Sequence, residues 1–532
     1  MFYSVVHDAL IYPTGTPLRI LAATEGAQQI MPGFVAVPAS LRNVQACADL
    51  GLEVTAPMDL DGYDWPIKRP RVPLLHQKIT ANFLVANRRS FCFNDMGTMK
   101  TLSALWAADY LMQQNDAAGK DRMRAIIVSP LSTLRDVWEK EIFQNLIGRR
   151  TSVVLHGTAD KRRKLLEKDV DFYIINHDGL GVGLSAGRKP TLDGLAKDIA
   201  ARSDVRLAIV DEAAAYRDAQ TRRHRAARAL VGQRDYLWLL TGAPTPNGPL
   251  DAYGLAKLVN NASGESFTSY RERVMLRLTQ FKWLPRAGSA LLAHRMLQPS
   301  IRYATSDCLD LPPCTVQQRE ADLSDTQQKA LKVLKHEAVL AMQDGSLVHA
   351  VNEAALRTKL IQVICGAIYD TEHASHSLDA KPRIDVLREI VEECGEKLIV
   401  FAPLTNVLNM LFKDLSRSWP CAIVNGSVKQ DERTDIFRRF QRSEDPLRIL
   451  IADPATMAHG LTLTAATCIV WYGPTDRTEL YMQANKRIDR PGQTKATTIV
   501  QIVATKIERE IYTRLENNQT LQGVVLQLAR EQ

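Results

Sequence analysis

The stretch FCFNDMGTMKT, residues 91–101, decides how this chain is read. Phe91, Cys92 and Phe93 have the character of the end of a buried strand. Asn94, Asp95 and Gly97 make a turn, and Lys100 and Thr101 open SALWAADYLM, which reads as a helix. A strand, a tight turn and Lys-Thr at a helix start is an arrangement that holds the phosphates of a nucleoside triphosphate. Backbone N–H groups and the positive end of the helix attract phosphate. The lysine ammonium reaches the terminal phosphates, and the threonine hydroxyl takes a place on Mg2+. The strict pattern G-x-x-x-x-G-K-[ST] fails, because Asn94 and Met99 stand at its two glycine positions. The same residues also suit an ordinary strand–turn–helix, so the rest of the chain must arbitrate.

With 532 residues the chain has room for several domains of about 150 residues each. Its hydrophobic share of 45% and charged share of 24% are those of a soluble globular protein. A net charge of +8 favours a polyanionic partner but also suits an ordinary basic enzyme. The eight cysteines are scattered, with no C-x-x-C pair and no Cys/His array at zinc spacing. Reduced thiols in an intracellular protein are expected. No apolar run approaches the ~20 residues of a membrane span, and MFYSVVHDALIYPTG lacks the pattern of a signal peptide.

Working outward, residues 1–70 read as a small, separate α/β module, closed by a charged, proline-rich linker, DGYDWPIKRPRVP. Residues 71–265 alternate strand and helix patterns, with strands expected at 91–93, 125–129, 152–155, 172–176, 207–211 and 236–241. These are continuous apolar runs, as in a parallel sheet covered by helices on both faces. Asp95, Ser129, Asn176, Asp211 and Thr241 fall at their carboxyl ends, where such sheets carry their chemistry. Residues 266–390 read as a helical insertion, with Ser324 as an N-cap. Residues 391–532 return to strand/helix alternation, with strands at 397–402, 421–425, 448–453, 468–473 and 498–503 and a helix at the C-terminus.

Two constellations add chemistry. IVDEAA (209–214) sets two acids at a strand end: Asp211 can hold Mg2+ and Glu212 can accept a proton from an attacking water. A helix N-cap would use the same residues. QANKRIDRPGQ (483–493) places Arg487 and Arg490 three apart, on one face if helical, where they could stabilise phosphoryl charge. A solvated basic face is the commoner use of such a run. The same choice holds for RRHRAARALVGQR (222–234), which could face phosphates.

These pieces occur in a fixed order, and from about residue 70 to 515 the chain resembles a Swi/Snf-type member of superfamily two of helicases and nucleic-acid translocases. PLLHQKITANFLVANRRSFCFNDMGTMKT resembles the family's opening, in which a Gln precedes a DEMGLGKT-like loop. SPLSTLRDVWEKEI, NHDGL, VDEAAAYRD and LTGAPTPN follow in family order, the last very close to LTGTPxxN. KLIVFAPLTNVLNML, VNGSVKQDER and AHGLTLTAAT match the second core, and QANKRIDRPGQ is close to QAxxRxxRxGQ.

The resemblance implies an α/β protein of two RecA-like parallel-sheet lobes that bind ATP between them and duplex DNA across both. By matched position, Gln77 recognises adenine, and Asp95, Gly97, Thr98, Met99, Lys100 and Thr101 form the phosphate loop. Thr101 and Asp211 serve Mg2+, and Glu212 the attacking water. Gly460, Gln483, Arg487 and Arg490 complete the site from the second lobe, and Thr241 couples hydrolysis to lobe movement. Ser129, Thr245, Asn425, Gly426 and Thr462 contact the DNA backbone. Met99 replaces the glycine before the lysine, and Ala214 replaces the family's usual His.

The expectation is therefore an ATP-dependent translocase or helicase on double-stranded or branched DNA. It is expected to be compact, monomeric and cytoplasmic, in a bacterial or phage-infected cell. An RNA-directed helicase is the alternative within the class. A non-hydrolysing DNA-binding module, motivated by Met99, is the alternative outside it.

Overall fold

Apolar strands dictate the architecture. The computed structural model describes all residues except 1, 5–8, 14–16, 32, 39–42, 44, 45, 48, 53–57, 183–193, 280–282, 309, 344–357, 370–374, 458–461, 531 and 532. The chain divides into two compact units, Met1–Cys308 with Thr520–Gln532, and Leu309–Gln519.

The first unit begins with β1 Phe2–Ser4, β2 Ala9–Pro13, β3 Gln28–Met31 and β4 Phe34–Pro38. They form an antiparallel sheet in the order β1-β2-β4-β3, with a helix at Pro17–Ala23. Next come β5 Arg89–Cys92, β6 Arg124–Ser129, β7 Ser152–Val154, β8 Phe172–Asn176, β9 Val205–Asp211 and β10 Tyr236–Leu240. A hairpin, β11 Met275–Arg277 and β12 Trp283–Pro285, precedes β13 Ser300–Ile301. The central sheet is wholly parallel in the order β13-β5-β10-β9-β6-β8-β7. Alternate residues feed two cores: Ile126, Val128, Ala208 and Val210 face one, and Ala125, Ile127, Leu207 and Ile209 the other. That is why these runs are apolar throughout rather than alternating.

The second unit holds β14 Cys314–Glu320, a hairpin of β15 Ala367–Tyr369 and β16 Ser375–Ser377, then β17 Lys397–Phe401, β18 Cys421–Val424, β19 Ile449–Ala452, β20 Ala466–Trp471 and β21 Thr497–Val503. Its main sheet is also wholly parallel, in the order β14-β21-β20-β17-β19-β18. Two parallel-sheet α/β units are what the RecA-like expectation requires.

Three expectations need correction. Residues 1–70 are not a separate unit. Leu10, Tyr12, Val35 and Val37 enter the same core as Ala125 and Ile127. The supposed linker is a packed strap: Trp65 is buried edge-to-face on Trp106 at 5.2 Å, and Tyr63 donates to Asp109 at 2.7 Å. Its prolines and charges suggest a linker, but its aromatic rings bury. Residues 266–390 are not one helical insertion either. Residues up to Cys308 belong to the first unit, β13 extends the first sheet, and β14 edges the second. Both are edge strands, and β14 is largely exposed, so neither carries a buried apolar run. Ser324 does cap the helix Asp325–Gln343, its hydroxyl accepting from Gln327 N–H while Gln327 Oε1 accepts from Ser324 N–H.

The second unit is stapled by a buried ion pair. Arg383, 1% exposed, donates to Glu508, 0% exposed, at 2.7 Å, and to the carbonyls of Tyr472 and Ile502. The carboxylate holds the guanidinium pKa above its ordinary value against the opposing effect of burial. Arg383→Ala leaves Glu508 buried and unpaired, so we expect a loss of about 3–5 kcal/mol, read as an earlier thermal unfolding transition.

Candidate active site at the strand ends

The site builds up from the carboxyl edge of the first unit's sheet. β10 lies between β5 and β9, with Leu240 opposite both Cys92 and Asp211. Three loops therefore leave the sheet side by side: Asn94–Met99 after β5, Glu212 after β9 and Thr241–Ala243 after β10. The Thr241 N–H donates to the Cys92 carbonyl at 3.0 Å. A Cβ on Gly242 would lie 3.5 Å from Met96 and 3.6 Å from the Asn94 carbonyl, so the last loop rests on the first. The Thr241 hydroxyl is spent within its own loop, accepting from Ala243 N–H.

The first loop is held from several directions. Asn94 is fully buried, donates to Thr80 at 2.8 Å and accepts from Tyr303 N–H at 3.0 Å. The glycine of the strict pattern could not make either bond. Asp95 accepts from Arg302 at 2.6 Å and from Thr305 N–H at 3.0 Å, so its carboxylate positions the loop. Buried Thr98 donates to the Asp95 carbonyl, and His76 Nε2 lies 3.1 Å from the Thr98 carbonyl. Burial depresses the His76 pKa, so the ring is neutral, and it donates to that carbonyl.

The helix Lys100–Ala117 starts where expected, and its first N–H groups have no acceptor within the helix. Met99 precedes it with φ 57° and ψ 36°. The backbone thus takes the left-handed turn that a glycine would adopt freely, and Met99 bears the strain without displacing the helix start. The Met99 departure therefore does not favour the non-hydrolysing reading. Glu212 is left-handed too, at φ 48°. Such strain in non-glycine residues gathers at functional sites.

Lys100 is buried and donates to the Asn94 carbonyl at 3.3 Å. Asp211 is buried at the end of β9 and accepts from Trp138 Nε1 at 3.0 Å. Burial, then the neighbouring Glu212 charge, push the Asp211 carboxyl up to about 6, while Lys100 and Trp138 oppose the shift. Gln77 Oε1 accepts from Leu74 N–H, and its Nε2 is buried with no hydrogen-bond partner. That orphaned donor suits a ring-nitrogen acceptor of a base. Thr101, at the helix start, is half-buried. The donor set fits a magnesium nucleotide, since Mg2+ takes one or two protein oxygens together with phosphates and waters. No group of three or more His, Cys, Asp or Glu is arranged for a metal ion among the described residues.

In the second unit, Gln483 is buried on the helix Thr478–Asn485 and donates to Glu479 at 3.3 Å. Arg487 and Arg490 do not share a helical face, because that helix ends at Asn485 and the chain continues in turns. Arg487 is buried, whereas Arg490 is half-buried and donates to Thr462 at 3.5 Å. Gln493 pins this turn through three carbonyls, those of Thr464, Ala466 and Ile488. Gly460 lies outside the described residues. Of the proposed backbone-contacting positions, Ser129 is buried and accepts from Thr133. The Thr245 hydroxyl is buried with no partner. Asn425 accepts from Ser427, and a Cβ on Gly426 would meet open space. The basic run 222–234 is largely structural: Arg234 donates to the carbonyls of Leu230, Arg202 and Ile199.

Sequence reasoning missed His76, Trp138, Tyr303 and Arg302. Trp138 lies in an element already matched, but its contact with Asp211 spans 73 positions, which no local pattern reveals.

Two family models match this chain. The SNF2-related domain matches residues 76–365, more than half the chain, and the helicase conserved C-terminal domain matches residues 382–492. The Bacillus subtilis (strain 168) protein YwqA, described as an ATP-dependent helicase/translocase, is 25% identical over 85% of this chain and 48% of its own length. A protein of Orgyia pseudotsugata multicapsid polyhedrosis virus, described as a global transactivator, is 23% identical over 86% of this chain and 89% of its own. The Xenopus tropicalis SWI/SNF-related matrix-associated actin-dependent regulator of chromatin subfamily A-like protein 1 is 25% identical over 80% of this chain and 42% of its own. The chain thus spans about half or less of the length of YwqA and of the Xenopus protein. No helix among the described residues is long and apolar enough to cross a membrane.

Three substitutions probe the geometry. Trp138→Phe removes a hydrogen bond to the Asp211 carboxylate and should raise its pKa further above 6, whereas Glu212→Gln removes a like charge and should lower it. Isotope-edited infrared titration of the carboxyl stretch reads both shifts. Met99→Gly relieves the left-handed strain and should stabilise the first unit by up to about 1 kcal/mol, less than the full strain because glycine loses more chain entropy on folding.

Proposed function

This chain belongs to the SNF2-related domain family, and from that premise we propose that it is an ATP-hydrolysing motor acting on double-stranded or branched DNA. The observation that carries the reading is the meeting of Lys100, Asp211 and Glu212 at adjacent strand ends. There a buried carboxyl is raised to about 6 yet opposed by a lysine charge. Such a site is balanced for a bound cation and phosphates.

The proposed roles follow from the chemistry. Lys100 and the first N–H groups of its helix bind the β- and γ-phosphates. Gln77 Nε2 reads the adenine. Thr101 and Asp211 hold Mg2+, which would neutralise charge building on the phosphates. Glu212 orients the attacking water and accepts its proton. Arg487 and Arg490, with Gln483 and Gly460, are assigned to stabilising the transferred phosphoryl group. Thr241, whose loop rests on the Asn94–Met99 loop, links nucleotide state to the rest of the fold.

DNA is held through its phosphates, which confer affinity without sequence specificity. Ser129, Thr245, Asn425, Gly426 and Thr462 are the proposed contacts. Binding should weaken steeply with salt. Remodelling, branch migration or annealing of junctions is the proposed use of the motion.

DNA-stimulated ATP turnover tests the reading. Lys100→Ala and Glu212→Gln should each lower kcat by about a hundredfold or more. Glu212→Gln should still bind nucleotide, measured with a fluorescent ADP analogue. Turnover unchanged in both variants would remove these residues from the chemistry.

A further inference from the structure

Two cysteines of the second unit lie side by side, and neither serves the nucleotide site or the proposed DNA contacts. Cys394 is the last residue of the helix Lys381–Cys394. Gly395, at φ 64°, turns the chain there into β17. The turn holds Cys394 half-buried against β20, its Sγ 3.7 Å from the Thr467 hydroxyl and hydrogen-bonded to Cys468. Cys468 is 5% exposed, and Cys394 packs on the core to which it belongs. Consecutive side chains of a regular strand point to opposite faces. Thr467 and Cys468 both reach Cys394 because the register slips at this point: Lys397 pairs with Ala466, but Leu398 with Cys468. An extra residue of this kind re-aims its neighbours.

The surroundings favour a thiolate on Cys394. The hydrogen bond from the Cys468 thiol pulls Cys394 down to about 6, with Thr467 and the Arg448 charge adding and burial opposing. Cys468, the donor of that bond, is pushed up in turn. Arg448 donates to the Val391 carbonyl at 2.7 Å, so its charge offsets the negative end of the helix that Cys394 closes. Burial instead pushes Cys92, Cys365 and Cys421 up. A half-exposed thiolate with a second thiol in hydrogen-bond contact is the arrangement of a peroxide-reactive cysteine and its resolving partner.

We propose that Cys394 is a site of oxidation by hydrogen peroxide and that Cys468 resolves the product into a disulfide. The Cys394 sulfur attacks one peroxide oxygen. An S–O bond forms, the O–O bond breaks, and the other oxygen leaves as hydroxide, which takes up a solvent proton. Cys394 is thereby oxidised to a sulfenic acid while the peroxide is reduced. The Cys468 sulfur then attacks that of Cys394. An S–S bond forms, the S–O bond breaks, and the hydroxyl leaves with the Cys468 proton as water. The new bond ties the helix end to β20. The inference does not depend on the motor reading, and its test reads no ATP turnover.

The test uses the full, pre-reduced chain and peptide mass spectrometry. In the unsubstituted chain at neutral pH, iodoacetamide should alkylate Cys394 about fivefold or more faster than the exposed Cys314, since a larger thiolate fraction outweighs its lower nucleophilicity. Limiting hydrogen peroxide should give the Cys394–Cys468 disulfide as the first product, reversed by a dithiol reductant. In Cys468→Ala, dimedone should instead capture a sulfenic acid at Cys394. Alkylation or oxidation of Cys394 no faster than that of Cys314 overturns the proposal. So does a disulfide from Cys394 to any other thiol, or a sulfenic acid that persists at Cys394 in the unsubstituted chain. These readings need no variant, so they stand whether or not Cys468→Ala folds.

Discussion

A carboxylate buried at the end of a parallel strand is costly in charged form unless cations or donors face it. Asp211 is in that position, and much of the first unit is arranged around it. Its strand runs through the middle of the sheet, covered on both faces, so water cannot solvate it from the side. Trp138 brings a ring N–H from another element, and Lys100 brings charge from the helix after β5. The balance is incomplete, and the carboxyl remains above its ordinary range. A carboxylate left short of positive charge in this way is stabilised by any cation brought beside it.

The lysine can serve that site only if its loop holds still, and the loop is anchored from far away in sequence. Asn94 and Asp95 are tied to Tyr303, Arg302 and Thr305, some two hundred positions on. The short edge strand β13 brings those partners into place. Two polar residues that look like turn formers are therefore clamps. This accounts for an asparagine where the strict phosphate-loop pattern has a glycine. A similar economy of space appears at Gly254, where any Cβ would collide with the Arg217 carbonyl. The helix Asp251–Val259 can approach the chain after β9 only because that residue is glycine.

In the second unit the arginine motif is organised by hydrogen bonds to carbonyls rather than by helix periodicity. Gln493 gathers three carbonyls, and Gly492 supplies the positive φ of 97° that the turn requires. Arg487 and Arg490 then leave the chain from non-helical backbone, one buried and one half-buried. A three-residue spacing suggests one face of a helix. It cannot tell a helix from a turn tied down by a side chain.

The amino-acid sequence alone determined that there are two parallel-sheet units, and it located every interior strand of both, because strands covered on two faces must be apolar along their whole length. It also marked Lys100, Asp211, Glu212 and the arginine motif, since their chemistry is local to short segments with strict residue types. The tertiary structure alone decided what surrounds them. The edge strands β13 and β14, the strap through Trp65, and the roles of Trp138 and Arg302 all depend on partners distant in the chain. Local composition records how a residue meets solvent and its sequence neighbours. A contact across seventy or two hundred positions leaves no trace in either pattern, because it is the packing of whole elements that brings its two ends together.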